Sequence, residues 1–140
     1  VSFVEDFDNL YVLTADGNKR LLNRGASFNA QLSPDGKKVV FNEMDNIVVI
    51  NLDGTGKRVL GVGFRPQWVG NSQIVYERTT DNGHSYLTGE LYMLNINGGA
   101  EKALTSSRDR IEMYPSISPD GNKIAFISNT DGQIYVADLK

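Results

Sequence analysis

Apolar and polar residues alternate along this chain in short bursts, and the bursts recur. Phe28, Ala30 and Leu32 are spaced by two, as are Phe64, Pro66 and Trp68, and again Met113, Pro115 and Ile117. That period is the period of a β-strand with one buried face. Two of these strands run into Ser33-Pro34-Asp35-Gly36 and Ser118-Pro119-Asp120-Gly121. In such a turn Pro presets φ, Asp suits the third position and Gly closes a type I geometry. A second strand follows over Lys38–Asn42, Gln73–Glu77 or Lys123–Ser128, rich in β-branched and aromatic residues. A third has four versions: Leu10-Tyr11-Val12-Leu13, Ile47-Val48-Val49-Ile50, Leu91-Tyr92-Met93-Leu94 and Ile134-Tyr135-Val136-Ala137. In the first three a Gly stands seven residues after the leading aliphatic (Gly17, Gly54, Gly98), inside an Asp-Gly or Asn-Gly hairpin signal. A fourth strand is predicted over Lys19–Leu22, Lys57–Leu60 and Glu101–Leu104.

Self-similarity sets the architecture. Gln31–Phe41 and Ser116–Phe126 match at most positions, and their prolines, Pro34 and Pro119, lie 85 residues apart. That distance is two repeats of roughly 42 residues. A degenerate copy, Gln67–Tyr76, lies between them. Four-stranded antiparallel units of this length, with no helical periodicity between them, predict an all-β fold of β-propeller blades. Single units cannot bury both faces, so blades must stack. The blades are expected at 1–24, 28–62, 64–105 and 113–140, the first and last incomplete, within a single domain. Aligning Val1–Glu5 with Ile124–Ser128 makes the beginning a second strand, and the end falls just after a third. The count is fourteen strands, about three and a half blades. The expectation is a piece of a larger propeller, or one that completes its ring by self-association.

A strand, Ser-Pro-Asp-Gly, a strand, a loop and a Leu-Tyr-Val-Leu strand ending in Asp-Gly closely resembles the repeat of TolB-like β-propellers. The resemblance covers essentially all of the chain. It also extends to the propellers of tricorn-type and prolyl-oligopeptidase-type peptidases. It implies a propeller that binds protein partners, periplasmic or extracellular. A substrate-gating propeller of a serine peptidase is the alternative it implies, with a saccharide-binding or saccharide-cleaving propeller behind it. Fold alone does not transfer activity.

Composition narrows the classes. A net charge of −3 over 140 residues offers no basic footprint for nucleic acid. The longest aliphatic run, Ile47–Ile50, is far short of a membrane span. There is no Cys, so thiolate metal sites and disulfides are excluded. His84 is the only histidine, which excludes a multi-histidine site such as the metal centre of the TolB-like pectin-fragment lyase. Asp53–Arg58 lacks P-loop spacing. The Asp residues before Gly (Asp16, Asp35, Asp53, Asp120, Asp131) read as turn residues rather than calcium ligands, since none begins an alternating run of oxygens. Trp68 reads as a core residue between blades, and Tyr11, Tyr92 and Tyr135 as structural. No catalytic residue, metal or cofactor is expected.

Departures from the repeat locate the candidate site. From the leading aromatic of the second strand to the leading aliphatic of the third, the spacing is 7, 6, 15 and 8 residues. The long one predicts a loop over Thr79–Glu90, and the long connection Thr105–Glu112 is expected on the same face. Connections longer than the repeat requires tend to carry function. His84, Tyr86, Arg108 and Arg110 are the candidate partner-binding residues there, with Arg65 and Tyr114 at the channel mouth. Tyr and Arg are favoured interface anchors.

Overall fold

A computed structural model describes residues 1–105 and 110–139, and these form fourteen strands in four antiparallel sheets. The first sheet holds β1 (Ser2–Glu5), β2 (Asn9–Leu13) and β3 (Lys19–Arg24). The second holds β4 (Ser27–Leu32), β5 (Lys38–Glu43), β6 (Asn46–Asn51) and β7 (Arg58–Val62). The third holds β8 (Phe64–Val69), β9 (Gln73–Asp81), β10 (Tyr86–Asn95) and β11 (Lys102–Ala103). The fourth holds β12 (Glu112–Ile117), β13 (Lys123–Ser128) and β14 (Ile134–Asp138). Within each sheet every strand pairs with its neighbours in sequence, and no helix occurs among the described residues. The fold is an all-β propeller architecture, as the repeat predicts.

Consecutive sheets pack face to face, so the second and third sheets are covered on both faces. Leu10 and Val12 meet Val39, Phe41 and Val48 between the first and second sheets. Val40, Ile47 and Val49 meet Trp68, Ile74 and Tyr76 between the second and third. Val75 and Leu91 meet Ile124 and Phe126 between the third and fourth. Strands buried on both faces lose polar alternation, which is why Val39–Asn42 and Ile47–Ile50 are buried throughout. Trp68 is the core residue expected; its Nε1 also donates to the Gln31 carbonyl of the preceding sheet at 2.9 Å.

Three expectations need correction in detail. The period of two in the inner strands β4, β8 and β12 is broken by a bulge in each, between Phe28 and Gln31, Phe64 and Gln67, and Met113 and Ser116. One residue per bulge is left-handed: Asn29, Arg65 and Tyr114, with φ of 58°, 51° and 55°. A bulge of this kind resets which residues face the core, so Phe28 emerges partly exposed. The second correction concerns the long loop. Thr79–Asp81 and Tyr86–Glu90 continue β9 and β10 as a projecting hairpin, leaving only Asn82–Ser85 as turn. Thr80 and Thr88 share a 2.6 Å hydroxyl hydrogen bond across it, and threonine suits an extended two-sided ribbon. The third is register: Val4, not Phe3, stands opposite Tyr11 as Phe126 stands opposite Tyr135. That shift lets Phe3 pack towards the second sheet with Val12.

Candidate functional site

The inner strands β4, β8 and β12 lie beside one another, and their bulges are tied to the preceding sheets by polar side chains, buried at Asn42 and Glu77 and exposed at Glu5. Glu5 Oε1 accepts from the Ala30 N–H at 3.0 Å, Asn42 Oδ1 from the Arg65 N–H at 3.1 Å, and Glu77 Oε2 from the Tyr114 N–H at 2.6 Å. A non-glycine residue in the left-handed region costs about 1–2 kcal/mol, so each bulge must be held by its surroundings. These contacts are what hold it.

Glu77 is the most constrained of the three. It is fully buried, and its other oxygen pairs with Arg65 Nη1. The Arg65 guanidinium lies 4.1 Å from the Tyr114 ring centroid, and Nη2 donates to the Tyr114 hydroxyl at 3.3 Å. Burial pushes the Glu77 carboxyl above its ordinary value, while the Tyr114 N–H and the Arg65 charge oppose that rise. Arg65 is therefore the counter-charge of a buried carboxylate. Glu112, at the start of β12, is a second buried carboxyl, raised by burial and by the neighbouring Glu90. Its Oε2 and the Ser128 Oγ have no hydrogen-bond partner among the described residues.

A cleft of about 710 Å³ opens beside this triad, between the second and third sheets. Phe28, Val62 and Phe64 give it an apolar floor, Asp45 and Asp81 an acidic rim, and Thr79, Thr80 and Tyr86 one wall. A smaller pocket of about 290 Å³ adjoins it at the hairpin tip, lined by Asp81, Gly83, His84, Ser85 and Tyr86. Four of the residues singled out in the sequence thus come together: Arg65 and Tyr86 in the cleft, His84 at the tip, Tyr114 stacked on Arg65. Arg110 stands apart, its guanidinium 4.6 Å from the Tyr135 ring centroid in the fourth sheet. Arg108 lies outside the described residues. Sequence reasoning passed over Glu77, Asn42, Asp45 and Asp81. The signal for the first two was present: a polar residue directly after the apolar runs Val39–Phe41 and Ile74–Tyr76.

The Asp residues before Gly serve their turns. Asp35 accepts from Ser33 Oγ at 2.7 Å and the Lys37 N–H at 3.1 Å, and Asp120 from Ser118 Oγ at 2.6 Å and the Asn122 N–H at 3.0 Å. Hydrogen bonds from Ser33 and Ser118 hold both carboxyls below the usual range. Among the described residues no three His, Asp or Glu side chains gather as a metal site would require.

No family model matches the chain. It is 28% identical to a TolB homologue of Chlorobium luteolum over 99% of its own length, and 32% identical to one of Chlorobium chlorochromatii over 75%. A protein of Agrobacterium tumefaciens assigned as TolB superposes on 98% of the chain with a TM-score of 0.78 at 18% identity. The fold is that of a TolB-like β-propeller. The chain spans 33% and 24% of the two curated relatives and 57% of the Agrobacterium chain. The TolB-like fold also appears in part of the tricorn protease, matched over 90% of this chain and 14% of that one, with a TM-score of 0.66 at 14% identity.

Proposed function

We propose that this TolB-like propeller is a non-catalytic binding module that contacts a protein partner through its hairpin-bearing face, in the periplasm. One observation carries the reading: the only long excursion from the repeat among the described residues, the β9–β10 hairpin, forms a wall of the large cleft. Similarity to TolB homologues supports binding over catalysis and an extracytoplasmic setting. Buried chemistry in this chain supports it too. Arg65 and Glu77 neutralise one another, which leaves Tyr86, His84 and the two aspartates as the groups on offer. Likeness to peptidase propellers concerns fold, so the gating alternative draws on nothing beyond it.

The test is a partner isolated by cross-linking to the intact chain, then titrated against wild type and a H84A/Y86A variant. A loss of tenfold or more in affinity is expected, with Tyr86 dominant. Unchanged affinity rejects this face as the contact surface.

A further inference from the structure

The projecting hairpin leaves a length of main chain unpaired inside the cleft. On the β8 side, β9 pairs only as far as Glu77, which stands opposite Phe64. Beyond it, Arg78–Asp81 pair with β10 alone, and the chain before Phe64 turns away through Gly63 into β7. No main-chain hydrogen bond links Thr79, Thr80 or Asp81 to any other described element. An open strand edge is a template for another strand. Here it is not blunted by proline or lysine, and it forms a wall of the 710 Å³ cleft.

The side chains around that edge select an occupant. Neither Asp45 nor Asp81 takes part in an ion pair among the described residues, and both are exposed. Arg65, the cation lining the cleft, is already neutralised by Glu77. The cleft is therefore net acidic at its rim. Its floor is apolar, with Phe28 38% and Val62 50% exposed. We propose that the β9 edge and this cleft bind an extended peptide segment of a protein partner by strand addition. Basic side chains of that segment point to Asp45 and Asp81, and aliphatic ones alternate onto Phe28 and Val62. Main-chain hydrogen bonds supply affinity in this mode, and pockets for alternate side chains supply specificity. The proposal rests on the reading of this face as the binding face and specifies how it binds.

Three blocked octapeptides probe it: alternating Val and Lys, alternating Val and Glu, and the Val/Lys sequence N-methylated at alternate residues. Titrations are followed by calorimetry and by amide chemical shifts of the labelled chain. The Val/Lys peptide is expected to bind at least tenfold more tightly than the Val/Glu peptide, and N-methylation to abolish binding. Amide shifts are expected at Thr79, Thr80 and Asp81, and a D45N/D81N variant, altered only at exposed positions, is expected to lose the preference for Lys. Equal binding of the Val/Lys and Val/Glu peptides, equal binding of the methylated one, or no binding at millimolar peptide overturns strand addition. The isolated partner separates the two readings. A partner lost to Y86A yet indifferent to D45N/D81N keeps the face and discards the peptide mode; one indifferent to both discards the face.

Discussion

Asn42 and Glu77 occupy the same place in successive units and accept the same kind of donor, an N–H of the next inner strand. Asn42 also donates to the Gly63 carbonyl at 2.7 Å from a fully buried position. Removing it strands a donor and an acceptor in the interior, at about 1–3 kcal/mol for each buried group left unmade. Glu77 additionally balances Arg65, and breaking a buried ion pair by deleting one partner costs about 3–5 kcal/mol. Arg65 is partly solvated, which places E77A at the lower end of that range. Denaturant unfolding is expected to rank E77A below N42A in stability, and E5A, whose contact is exposed, close to wild type. An E77A protein as stable as wild type shows that these contacts do not hold the bulges.

The strands themselves were legible in the sequence because turn chemistry and β-period are local. Ser-Pro-Asp-Gly at Ser33 and Ser118 announces its turn without help from the rest of the fold, and strands β5, β6, β9 and β13 lie where the apolar runs put them. What stayed hidden depends on distant partners. The left-handed residues Arg65 and Tyr114 carry no local mark, since their N–H groups are held by side chains 23 and 37 residues earlier in the chain; beside Asn29 it is the Ala30 N–H that is held, by Glu5, 25 residues earlier. The hairpin extension was mistaken for a loop because Thr79–Glu90 is polar on both sides, as a ribbon projecting into solvent has to be. Close approach between elements is equally invisible. A Cβ placed on Gly63, at the crossing from β7 to β8, would stand 2.5 Å from the Tyr76 ring and 2.7 Å from Ile47 Cδ1. G63A is therefore expected to destabilise by about 1–3 kcal/mol through overpacking, read as a lowered thermal midpoint. A wild-type midpoint means the junction yields more readily than its packing indicates.

At the scale of the molecule, the sheets differ in what covers them. The face that each sheet turns to its successor is buried in the second and third, by Val40, Ile47 and Val49 and by Val75 and Leu91. In the fourth the corresponding positions are Ala125, Ile127, Ile134 and Val136, with Ile134 72% and Val136 65% exposed. No apolar cluster joins the fourth sheet to the first among the described residues. A contiguous β-branched face with an open edge favours association. Light scattering of this chain is expected to give a mass that rises with concentration above that of a monomer. An I134K/V136K variant is expected to stay monomeric with unchanged circular dichroism. A wild type that remains monomeric throughout rules out association through this face.

The hydrogen bond at each bulge comes from the main chain, so the side chain standing there is released from that duty. Asn29, Arg65 and Tyr114 share a backbone conformation and almost nothing else. An amide, a cation and a phenol stand on the same mount, and Arg65 answers to Glu77. Along its inner strands the propeller thus displays three different chemistries on one repeated backbone frame.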